Sequence, residues 1–319
     1  MAYQRSIAGY MLVCLVTISS LTVSANTLKD TCTAGLYIKN IYDLKPPEYS
    51  YNADFWIWFD YKHKAFDPLS NVEVINAKET SYTDQYHANI DSSTFVASES
   101  GRIILIHNWQ VENYPFDKQS FKIELEAGLD TTKMILTADK ANFKVYSGLI
   151  LPGWQLNDYS IKEYNVTYES DFGDRQLKGR STFSHITYIV NVQRQGWGLF
   201  FKLMLGAYVA FLVAYLAYFL PLASEQRFSL NIGALFAAVA NKYITDSNIP
   251  ASISFSYIDQ VHISTFIFIL VTMAVSVIVL KLERSKKHRQ SLRLNRISAS
   301  IILLAYISLN ITLLLLAYL

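Results

Sequence analysis

"NYPFDKQSFKIELEA", Asn113 to Ala127, places a proline between two aromatic residues, closes a turn on Asp-Lys-Gln and runs directly into alternation. Pro115 fixes its own backbone angle and biases Tyr114 away from helix, so the turn has a mechanism as well as a composition. Behind it Phe121, Ile123 and Leu125 alternate with Lys122, Glu124 and Glu126, the period of a strand with one buried face. "NADFWIWFDYKH", "RIILIHNWQV" and "STFSHITYIVNVQR" share this β-branched and aromatic character. Turn signals separate them: "KPPEYS", "FDPLSN", "ASESGR", "LPGWQ" and "ESDFGDRQLKGR". Helical periodicity before Arg194 never exceeds a couple of turns. The pattern predicts many short strands forming an immunoglobulin-like β-sandwich over residues 26–195.

Beyond Arg194 the composition changes. A bilayer core about 30 Å thick needs about 20 mostly apolar helical residues. Leu203 to Leu222, Phe266 to Leu280 (extended back towards Val261) and Ile301 to Leu319 satisfy this, with Trp197 as an interfacial anchor. Phe228 to Ile249 is also long enough, yet it holds Ser229, Asn231, Asn241, Lys242, Thr245 and Asp246. Such groups are expensive against lipid, so this helix faces protein or water. A helix buried inside a bundle and the wall of a pore both fit. The expectation is an α+β two-domain membrane protein, its second domain a four-helix transmembrane bundle over 196–319. The spans fall near 199–222, 226–249, 260–282 and 297–319.

Residues 1–25 read as a cleaved export signal: Arg5, an apolar run from Ile7 to Leu21, and small residues at Val23, Ser24 and Ala25. A membrane anchor is the alternative, against a short run containing Thr17, Ser19 and Ser20. Cleavage removes Cys14 and leaves Cys32 alone, which excludes an internal disulfide and a Cys-based metal site. "KLERSKKHRQSLRLNR", Lys281 to Arg296, is the densest basic cluster, and short basic loops stay cytoplasmic. Signal and charge bias agree on a multi-pass membrane protein with the N-terminal domain and the C-terminus on the outer side.

The formal charge of +2, with no basic patch interleaved with aromatics, argues against nucleic acid. The six histidines lie at no metal-ligand spacing, and there is no nucleophile elbow or glycine-rich phosphate loop. No enzyme, cofactor or metal is expected. His63, His87, His107 and His185 read as surface or satisfied strand residues, while His262 and Asp259 read as part of the outer interface between helices and sandwich.

An exported sandwich, "KAFDP", "YPFDKQ", "GWQL", a "VQR" strand entering the first span, and "SEQRFSLNIGALFAAVANKYITDSNIP" together resemble the pentameric ligand-gated ion channels. The likeness covers essentially the whole mature chain and is nearest the bacterial members without the loop disulfide. His107 and Phe121 stand at the two disulfide positions of other members, so packing is expected to hold that loop. The resemblance implies that Tyr114, Pro115 and Phe116 form the gating interface with the linker after the second span, where Pro250 lies, and that Asp117 pairs with Arg194.

Aligning Pro250 with the family's proline implies a lumen-facing stripe of Glu225, Ser229, Gly233, Phe236, Ala240, Tyr243 and Ser247, whose steps of four and three suit one helix face. Five Glu225 carboxylates form a cation-selective ring, although a carboxylate in the first turn beside a Ser224 cap equally suits the helix dipole. Phe236 and Tyr243 are the implied gates, and Arg227 points off the lumen. Lys242 departs from a cation pathway unless Asp246 pairs it. Trp56, Trp58 and Phe172 are the aromatics available for a ligand, with structural core the competing role for both tryptophans. The Trp-x-Pro of the family's first ligand loop is missing, and Gly128 stands where that family has an aromatic. Implied partners are a small-molecule, proton or ion ligand, permeating monovalent cations, the lipid bilayer and four further copies. A non-conducting periplasmic sensor or scaffold on the same fold is the alternative.

Overall fold

The computed structural model describes residues 30–63, 66–247, 249 and 255–318. The signal segment, Lys64 and Ala65 of "KAFDP", Pro250 and most of the linker after it lie outside the described residues.

In chain order the strands and helices are β1 (Asp30–Lys45), β2 (Ser50–Tyr61), the single turn α1 (Pro68–Asn71), β3 (Val72–Val74), β4 (Ala77–Asn89), β5 (Phe95–Ile106), β6 (Lys118–Ala127), β7 (Met134–Ala138), β8 (Lys144–Val145), β9 (Trp154–Tyr168) and β10 (Ser181–Arg194). Then follow α2 (Trp197–Tyr215), α3 (Gln226–Asp246), α4 (Tyr257–Arg284) and α5 (His288–Tyr318). One sheet runs β4-β5-β2-β1-β7 with β8 also on β1, and the other runs β3-β6-β10-β9.

The two sheets share one core. Phe55, Ile57 and Phe59 of β2 face Phe121, Ile123 and Leu125 of β6 and Ile186, Tyr188 and Val190 of β10. Each such side chain contributes roughly 1.5–3 kcal/mol by leaving water. Polar tips are satisfied across the layers: Tyr51 Oη donates to the Lys122 carbonyl and Tyr188 Oη to the Ala34 carbonyl, both at 2.7 Å. Cys32 is fully buried here.

The strands are not uniformly short: β1, β9 and β10 have 16, 15 and 14 residues. Register shifts at Ile38/Asn40, Tyr42/Lys45 and Asn191/Val192 let long strands follow the sheet twist without breaking.

Three segments, Trp197–Phe219, Tyr257–Arg284 and His288–Tyr318, are long and apolar enough to cross a membrane. The second of the four expected spans is a 21-residue helix, α3, that is not among them. Its six polar side chains and Arg227 dilute the apolar run. A short 3-10 turn, Leu216–Phe219, continues α2, and Pro221 follows it. α5 begins at His288 rather than near 297, because Arg289, Arg293 and Arg296 are good helix formers that extend it past the apolar run.

Candidate functional site

Arg194 ends β10 and Asp117 ends the turn before β6, and antiparallel pairing of these strands brings them together. Nε donates to Oδ1 at 2.6 Å and Nη2 to Oδ2 at 3.2 Å, a two-point contact with side chains only 13% and 2% exposed. The guanidinium also lies 4.0 Å from the Trp154 ring centroid and 4.9 Å from that of Tyr114. The Tyr114–Pro115 peptide bond is cis.

Phe116 projects onto the helices. Its ring is 5.0 Å from Trp197, 5.8 Å from Phe200, 5.6 Å from Tyr318 and 6.4 Å from Tyr257. One turn therefore touches the start of α2, the start of α4 and the end of α5. Gly196 makes the approach possible, since a Cβ there would fall 2.0 Å from the Pro115 carbonyl oxygen. The Glu112 carbonyl accepts from the Tyr257 N–H at 2.8 Å, so backbone as well as side chain joins sheet domain to α4.

Gln119, a residue the motif contains but whose part was not legible, organises the turn. Its Nε2 donates to Asp117 Oδ2 and to the Gln110 carbonyl, both at 2.7 Å. Its Oε1 accepts from the Gln110 N–H and lies 3.1 Å from His107 Nε2, which must therefore carry the proton. His107 and Phe121 are in ring contact at 5.1 Å, within an aromatic group that includes Tyr51 and Trp109. That packing occupies the place the resemblance gives to a disulfide elsewhere.

Burial pushes the His107 imidazole down to about 4 from its ordinary 6.5. The unfolded chain therefore takes up this proton first. The stability from neutral His107 is present above about pH 6.5 and is lost as pH falls towards 4. By pH 5 the loss is about 2 kcal/mol. Between pH 7 and pH 5 the melting temperature of the parent protein should fall further than that of His107→Leu, and equal falls would remove His107 as the acid-sensitive group.

On α3 all seven stripe residues are exposed in the single chain, Phe236 at 72% and Tyr243 at 81%. At about 100° per residue they span an arc of roughly 80°. Arg227, Asn231, Ala234, Ala238 and Thr245 are buried on the opposite face. Arg227 points inward among the helices, where it bonds Asn295, whose amide donates to the Tyr218 carbonyl.

Lys242 is paired twice, with Asp246 on its own helix and with Asp259 in the first turn of α4 at 2.7 Å. Asp259 is itself fixed by a reciprocal cap with Ser256. Glu225 is exposed and makes no cap, the Gln226 N–H being directed at Ser224 Oγ instead, and its carboxylate accepts from Arg284 Nη2 at 2.7 Å.

Several expectations need correction. Trp56 and Trp58 are not core, because strand alternation puts them, half-buried, on the outward face of β2. Trp58 lies across Gly35, where a Cβ would be 2.0 Å from the indole, and Lys39 sits 5.6 Å from the Trp56 ring. Phe172 is 64% exposed in the β9–β10 connection beside Tyr168 and Phe183. The two sheets separate Phe172 from both tryptophans, so one chain does not gather them. His185, by contrast, is the satisfied strand residue expected, buried beneath Tyr164 and paired with Glu126. His262 is fully buried between Ile258 and Asn241, inside the helices rather than at their interface with the sheets. Neither family models nor curated proteins give a match to this chain.

Proposed function

We propose that the chain is one subunit of a homopentameric, cation-selective ligand-gated ion channel. Its immunoglobulin-like sandwich is periplasmic and its four helices sit in the bacterial inner membrane. The observation that carries this reading is the exposed stripe of α3. A helix between three apolar ones buries its polar residues Arg227, Asn231 and Thr245 on one face and leaves Phe236 and Tyr243 uncovered on the other. Five copies around an axis give that face water and one another.

In this reading Phe236 and Tyr243 close the pathway by excluding water. Lys242 does not oppose cations, because with Asp246 and Asp259 it forms a group of net charge −1. Movement at the turn has a continuous route to the pore. Glu112 and Phe116 hold the first turn of α4, Asp259 in that turn holds Lys242, and Lys242 belongs to α3. A small-molecule, proton or ion ligand binds between copies, where Phe172 of one faces the outward Trp56 and Trp58 of the next. Long, exposed edge strands β4 and β9 on opposite sheets suit such head-to-tail association. A non-conducting sensor would use the same turn and α4 contacts, but it gives the exposed aromatics of α3 no partner.

Native mass measurement of the purified protein should give five times the mass of the denatured chain. A monomer or dimer would defeat the proposal.

A further inference from the structure

We propose that Arg284 sets the charge selectivity of the inner mouth by neutralising Glu225; this rests on the pore reading above. Glu225 stands at the start of α3, exposed, and its carboxylate meets the Arg284 guanidinium at 2.7 Å. Neither group has a competing role in helix capping: Glu225 makes no cap bond, and the end of α4 is closed by backbone bonds from Ser285, Lys286 and Lys287. Lys286 takes a positive φ of 58°, so the chain reverses directly after Arg284 and holds it beside the start of α3.

The surroundings are one-sided. Between Lys281 and Arg296 there are seven lysines and arginines and one acid, Glu283, which is bound to His288 at 2.9 Å. Glu225 is therefore the carboxylate available to Arg284. Rings of charge decide which ions enter a pore. A ring of five Glu225 attracts cations, and five Arg284 on the same carboxylates weaken that attraction. Both side chains are mostly exposed, 67% and 75%, so the pair opens and reforms readily and modulates the field rather than abolishing it. The sequence presents Arg284 only as one member of a basic loop; the fold singles it out.

The test uses full-length protein carrying Phe236→Ala, recorded under voltage clamp in sodium chloride gradients. Arg284→Gln should raise the sodium-to-chloride permeability ratio by roughly two- to fivefold, the range of an exposed ion pair. Glu225→Gln alone should lower the ratio below that of the parent, because Arg284 then stands at the mouth without its carboxylate. An unchanged ratio in Arg284→Gln overturns the proposal, as does a ratio in Glu225→Gln that does not fall below that of the parent. Absence of current in every variant, with the protein present at the surface, removes the pore reading and this inference with it.

Discussion

Asp117→Asn is expected to destabilise the protein by about 3–5 kcal/mol, the usual cost of leaving one member of a buried ion pair without its partner. At roughly 2–4 °C per kcal/mol for a domain of this size, the melting temperature falls by about 6–20 °C. The effect is large because the side chains of Asp117 and Arg194 are 2% and 13% exposed and meet at two points. The Trp154 and Tyr114 ring centroids lie 4.0 and 4.9 Å from the guanidinium, so little water reaches it when the carboxylate is lost. Arg102→Gln is the control. That arginine is 73% exposed against Asp54, and an exposed pair contributes about 0–1 kcal/mol. Equal melting temperatures for Asp117→Asn and the control would mean that the buried pair does not anchor the turn.

Much of this arrangement was legible in the sequence. The alternation after Asp117 gave β6 and its buried face, because a strand's period is visible in any stretch with one wet side. The pairing of Asp117 with Arg194 came only through a family resemblance, since the two are far apart in the chain. Gln119 was harder: a glutamine two residues past an aspartate looks like an ordinary strand residue until both are seen buried on one face. The outward position of Trp56 and Trp58 was readable from alternation with Phe55 and Ile57, but bulk suggested burial and overrode the period.

Among the helices, the polar content of α3 was legible, and so was the need to shield it. Which face it shields came only through the family resemblance, because polar residues lie all around it; Arg227 and Asn231 are buried together on the face opposite the stripe. The second partner of Lys242, Asp259, lies on another helix, and local spacing offered only Asp246. The extension of α5 through Arg289 and Arg293 was missed for a related reason. Hydropathy marks where a membrane ends, while helix propensity marks where a helix ends, and here the two differ by more than two turns.

The second large effect concerns Phe236. Its ring is 72% exposed at the middle of a stripe whose neighbouring members are Gly233 and Ala240. Glycine and alanine leave space, so in a ring of five the Phe236 side chains form the narrowest apolar belt on that part of the helix. Removing them widens the belt and lets water fill it. A tenfold rise in resting current needs the barrier to fall by only about 1.4 kcal/mol. Tyr243, two turns nearer the outer end, leaves a second belt with a hydroxyl on each ring, so Tyr243→Ala is expected to raise resting current less.

The decisive measurement is the resting current of Phe236→Ala beside the parent protein, with surface amounts matched, in cells held under voltage clamp in sodium gradients. A current at least about tenfold above the parent, reversing towards the sodium equilibrium potential, is the expected result. Equal silence in both proteins, with each shown to be assembled at the surface, would contradict a pore lined by α3.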